Sequence, residues 1–145
     1  MGAPDMPNSK RSNRKKTGAW LPNEVLQSQA YKDLSCGTKS VLIALAAQYR
    51  GENNGDLSVS VTVLTPYGIT SPDTIWRAEK RLRQHRLLKR TRQGMKLRST
   101  PSLYALTWWP IDKCDGKIGR LAANVAGNEW RNYTGTPMPL EGYDE

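Results

Sequence analysis

Apolar positions first recur with helical spacing in residues 37–49, where Val41, Leu42, Leu45 and Tyr49 fall on one face. Ile43, Ala44, Ala46 and Ala47 fill much of the remainder, which predicts a central helix buried on several sides. Ser35 stands ahead of the run with a hydroxyl that can accept a free backbone N–H, and Arg50 and Gly51 close it. The stretch Glu52-Asn53-Asn54-Gly55-Asp56 then has turn composition. After it Leu57, Val59, Val61 and Val63 alternate with Ser58, Ser60 and Thr62, the period of a strand, although Ser60 is also a good helix cap. We read a short strand at 57–59 and a short helix over about 61–67, distorted by Pro66, which has no N–H to donate. Upstream, Val25, Leu26 and Ala30 fit either a short helix or an extended lead-in over 23–31.

Gly68-Ile69-Thr70 predicts a tight turn, and Ser71 caps a helix with Pro72 at its first position, where the missing N–H costs nothing. In this helix, 72–85, Ile75, Ala78 and Leu82 form a narrow apolar stripe. Asp73, Arg77, Lys80 and Gln84 project from the opposite side, flanked by Thr74 and Arg81. Residues 87–92 read as a strand, and Gln93-Gly94 turns into a loop through Ser99, Thr100 and Pro101. Residues 103–109 return as an aromatic-rich strand with half-buried alternation, ended by Pro110. Beyond 112 the pattern is mixed, with a short helix at 119–125 and then a glycine- and proline-bearing tail.

Composition narrows the class. The 145 residues suffice for one domain with extensions. Hydrophobic residues make up 37%, against a globular norm of roughly 45–50%, so part of the chain is expected outside the core. The longest apolar run, 41–47, has seven residues, far short of the about 20 of a membrane span. No secretory apolar stretch is visible in the first thirty residues, so the expected location is the cytoplasm, bacterial cytoplasm or nucleoid. Cys36 and Cys114 are then expected as free thiols, and the lone His85 suits the end of its helix. There is no metal-ligand spacing, phosphate-binding glycine loop or nucleophile elbow, so neither an enzyme nor a cofactor is expected.

Charge changes the picture most. The net charge is +9, and it is concentrated. Lys10, Arg11, Arg14, Lys15 and Lys16 form one basic arm. From Arg77 to Arg98 there are ten basic residues and one acid, Glu79. From Asp112 onward four basic residues face six acidic ones. Same-sign charge packed this densely repels itself, which points to a polyanionic partner, most often nucleic acid, the alternative being a solvated surface.

The order helix, short strand, helix, tight turn, basic helix, hairpin is the layout of a winged helix-turn-helix. That fold is α+β and mainly helical, with a three-helix core and a β-hairpin wing. The expected division is a flexible basic arm at 1–19, the winged domain at 20–111, and a partly disordered extension at 112–145. The run Tyr67-Gly68-Ile69-Thr70-Ser71-Pro72-Asp73-Thr74-Ile75-Trp76-Arg77-Ala78 resembles the turn and recognition helix of winged-helix proteins common in bacteriophages and other mobile elements. Leu82, then Leu87-Leu88, fits the passage into the wing, and Pro101-Ser102-Leu103-Tyr104-Ala105-Leu106-Thr107-Trp108 is similar to its second strand. The likeness covers about 35–110. Two positions depart from it: Arg86 stands where such proteins carry Gly, and Pro66 lies in the preceding helix.

This layout implies roles. Arg77 and Arg81 are the candidates for base edges, because Arg pairs bidentately with guanine. Thr74, Lys80 and Gln84 are candidates for bases or phosphates, and Thr70 and Ser71 for a phosphate at the helix start. Asp73 either caps its helix or accepts from cytosine. In the wing, Arg90 and Arg92 share a strand face by alternation and, with Gln93, Lys96 and Arg98, meet phosphates or the minor groove, or only keep the hairpin solvated. The basic arm either tracks the minor groove or is a solubilising terminus. Of the aromatics, Trp20, Tyr104, Trp108 and Trp109 are expected mainly in the core, and Trp76 at a subunit or partner contact.

The expected partner is double-stranded DNA, read by a transcription regulator of a phage or mobile element, with a homodimer formed through 23–31 or the tail. Replication initiation or plasmid maintenance would use the same domain. The alternative of another class is an interaction module or inhibitor that binds a nucleic-acid-handling complex through the tail with Trp130, Tyr133 and Tyr143.

Overall fold

A computed structural model describes residues 17–95 and 100–140. Local sequence signals explain where its elements start and stop. Residues 23–31 give two single-turn helices, α1 (Asn23–Leu26) and α2 (Gln29–Lys32), separated because Ser28 caps the second. Helix α3 (Cys36–Gln48) begins at Ser35, whose Oγ accepts from the Thr38 N–H at 3.2 Å. Helix α4 (Val61–Leu64) begins at Ser60 in the same way. It tightens into a 3₁₀ turn, Thr65–Tyr67, that admits Pro66 near its start, where no N–H is needed. Gly68 then takes φ +81°, a conformation open to glycine at little cost. Helix α5 (Pro72–Gln84) is capped by Ser71 and leads into a hairpin of β1 (Leu88–Arg92) and β2 (Leu103–Leu106). Among the described residues, five α-helices and a two-stranded antiparallel sheet make this a helix-rich α+β fold. Among the described residues, no helix is long and apolar enough to cross a membrane.

The core forms where α3 packs on α5, joining Val41, Leu42 and Leu45 to Ile75, Ala78 and Leu82. Of the apolar run in α3, Val41, Leu42, Ala44, Leu45 and Ala46 are buried as expected, Ala47 is half-buried and Ile43 is exposed. Arg86, at φ +63°, ends α5 in the left-handed conformation that glycine ordinarily supplies. Leu87 N–H bonds Leu82 O at 3.1 Å and Arg86 N–H bonds Arg83 O at 3.0 Å, the paired closure of a Schellman turn. The left-handed residue costs about 1 kcal/mol. The Thr107 hydroxyl, donating to Arg86 O at 2.8 Å, helps hold it.

Three features of the sheet differ from the sequence pattern. The strand expected at 57–59 is a single bridge, with Leu57 and Tyr104 exchanging backbone bonds of 3.1 and 3.0 Å. Strand β2 stops at Leu106 and is buried at all four positions. The half-buried alternation fails because Tyr104 and Leu106 join the main core while Leu103 packs with Ile111, Cys114 and Ile118. A bulge between Arg90 and Arg92 interrupts the alternation of β1, and Thr91 turns inward to donate to Gly55 O at 2.6 Å.

The chain after 111 is not an appendage to this core. No helix forms at 119–125; instead, irregular chain with two 3₁₀ turns, Cys114–Gly116 and Glu129–Asn132, runs along the hairpin and back to α5. Asn54 fastens its start. The buried Nδ2 donates to the carbonyls of Leu106, Trp109 and Pro110, and Oδ1 accepts from Leu106 N. Asn54 and Asp112 exchange two further bonds of 2.8 Å. Farther on, Trp130 and Tyr133 enter the main core, and Met138 N–H donates to Gln84 O at 2.9 Å. A boundary at 111 therefore does not separate core from tail over 112–140, and 141–145 lie outside the described residues.

Candidate nucleic-acid interface

Helix α5 has two unlike faces. Its stripe of Ile75, Ala78 and Leu82 is buried against α3, as the spacing predicts. Successive residues turn by about 100°, so the opposite side carries Asp73, Thr74, Arg77 and Arg81, all exposed, with Lys80 and Gln84 half-buried beside them. Thr70 and Ser71 are exposed at the entry to the helix. The Ser71 hydroxyl is the cap, accepting from Thr74 N–H at 3.3 Å. Asp73 instead pairs with Arg77 at 3.2 Å, with both side chains more than two-thirds exposed at 68% and 74%. Such a pair is screened and weak, so Arg77 stays available to another anion. An open groove of about 800 Å³ runs along this side, with Arg77, Lys80, Arg81 and Gln84 on one wall and Asp33, Ser35 and Thr38 on the other.

Trp76 stands on the same exposed side, 51% accessible, with the Lys80 ammonium 5.4 Å from its ring centroid. A second groove, about 600 Å³, lies between α5 and the hairpin and is lined by Val59, Val61, Trp76 and Gln93 above Glu79, Arg90 and Tyr104. Of the aromatics expected in the core, Tyr104 and Trp108 are buried and Trp109 stacks on Tyr49 at 5.1 Å, whereas the burial of Trp130 was not expected. Trp20 is the exception, at 62% exposure.

Sequence reasoning missed Glu79. It lies on α5 beside the apolar stripe, 4% exposed. One carboxylate oxygen, Oε2, takes the Arg90 guanidinium at 2.8 Å, the Arg83 Nε at 3.4 Å and the Tyr104 hydroxyl. Burial opposes the charge on Arg90, but the bond to Glu79, the Tyr104 oxygen and the Glu79 charge together outweigh it and raise its pKa. Burial, reinforced by the Glu79 charge, pushes the Tyr104 hydroxyl up to about 12, so it remains a donor. The signal was present: the one acid in the basic block sits next to Ala78 and four residues from Ile75, at the edge of the buried stripe.

This corrects the placement of Arg90. Its guanidinium turns inward to Glu79 and also donates to Gln93 Oε1, so it does not face outward as the strand pattern predicts. Arg92 is half-buried and spans the hairpin, its Nε and Nη2 donating to Pro101 O at 3.3 and 3.1 Å. Gln93 is exposed. Lys96 and Arg98, like Lys10, Arg11, Arg14, Lys15 and Lys16, lie outside the described residues.

His85 also differs from expectation. It is buried at the end of α5, stacked on Tyr133 with centroids 4.3 Å apart and with Nδ1 2.8 Å from Ala30 O. Burial lowers its pKa, with Arg81 acting in the same direction and the Ala30 carbonyl and Asp33 opposing. It is therefore a neutral pin between α2, α5 and the C-terminal segment rather than a charge complementing the helix dipole.

Comparison with known proteins adds no family: the chain matches no protein-family model, no curated protein and no solved structure.

Proposed function

We propose that this chain is a winged helix-turn-helix protein that reads double-stranded DNA, as a transcription regulator of a phage or other mobile element. In this reading α3, α4 and α5 are the three-helix core, Leu57 is the stub of the third strand, and the hairpin of β1 and β2 is the wing. Helix α5 enters the major groove, which is about 12 Å wide and admits one helix. Arg77 and Arg81 reach base edges, Lys80, Thr74 and Gln84 contact bases or phosphates, and Thr70 and Ser71 meet a phosphate at the helix start. Arg92, Gln93, Lys96 and Arg98 lie along the adjacent backbone.

The observation that carries this reading is the two-sidedness of α5. One side is anchored in the core through Ile75, Ala78 and Leu82, and the other holds Arg77, Lys80 and Arg81 along an open groove. A rigid helix with its cations outward suits a duplex, whose phosphate charge supplies most of the affinity and whose base edges supply specificity. The competing reading, an interaction module working through an aromatic tail, loses support because Trp130 and Tyr133 are core residues.

The test is selection of bound duplexes from a random pool, followed by footprinting. A recurring motif protected in the major groove is expected, and two half-sites roughly 34–36 Å apart mark a dimer. Failure to enrich any motif overturns sequence-specific reading.

A further inference from the structure

We infer that Trp76 reads the 5-methyl group of a thymine in the duplex that α5 engages. The inference rests on the DNA-reading function proposed above and assigns a specificity-determining residue to that site. Among the described residues of α5, Trp76 is the one large apolar side chain left exposed. It follows Ile75 of the buried stripe, precedes Arg77, and sits one turn before Lys80. The Lys80 ammonium over its ring is a cation–π contact that keeps the indole on the charged side of the helix.

Its position bears directly on what it can touch. Trp76 lines both grooves that flank α5, the cationic one with Arg77 and Lys80 and the one beneath the hairpin with Val61 and Gln93. A duplex drawn in by the cations therefore meets the indole between them. The edges of base pairs in the major groove carry donors, acceptors and one apolar group, the thymine methyl. An indole held among polar side chains gains most from covering that group. Val61, itself 37% exposed, extends the apolar surface on the same flank.

The experiment uses the selected duplex and replaces its thymines one at a time with deoxyuridine, which lacks only the methyl. Binding of the full chain is followed by fluorescence anisotropy. One position is expected to weaken binding about fourfold, the value of one buried methyl. Trp76→Ala is expected to bind the thymine and uracil duplexes equally at that position. Because the first arm alters only the DNA, protein folding does not enter it.

Wild-type binding that ignores deoxyuridine at every position overturns the inference, as does a selected site with no thymine. A thymine-to-uracil ratio that survives in Trp76→Ala also overturns it, as does a Trp76→Ala loss with no uracil-sensitive position, which would put the indole against the sugar-phosphate backbone. In each of these outcomes DNA reading itself stands. If no duplex is selected at all, the functional reading and this inference fall together.

Discussion

Strand β1 carries cations more densely than helix α5, three in 5 residues against four in 13, yet it presents fewer of them. On α5, Arg77 and Arg81 point into solvent while Ile75, Ala78 and Leu82 hold the opposite side in the core. On β1, Arg90 is drawn back to buried Glu79, Arg92 is tied across the hairpin to Pro101, and of the three cations only Lys89 is exposed. The helical period exports a charged face as a unit. A short strand beside a buried carboxylate, with a bulge in the middle, does not. Formal charge thus overstates what a partner can meet, and part of the basic block is internal structure that sets the angle between helix and hairpin.

Breaking the internal part should have the largest effect. Glu79→Ala leaves Arg83 and Arg90 without their shared carboxylate. Removing one partner of a buried pair costs about 3–5 kcal/mol, to be read as a lower urea midpoint. An unchanged midpoint would show that the network is not holding the hairpin to α5. The exported part should respond the other way. Arg77→Ala and Arg81→Ala each should cost about 1–3 kcal/mol of binding to the selected site and relax base preference, with stability within roughly 0.5 kcal/mol of wild type. Equal stability losses for Arg77→Ala and Glu79→Ala would erase the contrast. Arg92→Ala should act more weakly, reducing affinity on all sequences alike and lowering the salt slope by about 1, measured by titration at several salt concentrations.

The smallest expected effect concerns the joint beneath both regions. His85 is the only histidine in the chain, and burial holds its folded pKa below the ordinary value. The unfolded chain therefore takes up the proton more readily. Stability from neutral His85 is complete above about pH 6.5 and is lost as the pH falls below it. Urea midpoints at pH 7.5 and 5.5 should show a decrease at the lower pH, and an increase would contradict the buried, neutral assignment.

Signals confined to a few neighbouring residues were legible in the chain. Ser35, Ser60 and Ser71 start the helices they were expected to start, because a cap is a bond between a side chain and an N–H three residues on. The stripe of α5 was visible for the same reason, and its exposed candidates Asp73, Thr74, Arg77 and Arg81 followed from rotation about one axis. Glu79 and Arg90 were not legible as a pair, since they lie 11 positions apart on two different elements. Nor was Asn54, whose turn composition conceals an amide bonded to chain more than fifty residues away.

By itself, then, the sequence determined the caps, the helical periods, the two-faced basic helix and the concentration of positive charge, all set by local geometry and composition. Only the tertiary structure decided which cations face outward, that His85 is a neutral core residue, and that 112–140 complete the domain. Those outcomes depend on burial and on partners distant in the chain. Desolvation makes a buried charge or amide seek whatever complementary group the fold brings near, and no spacing rule along the sequence records that meeting.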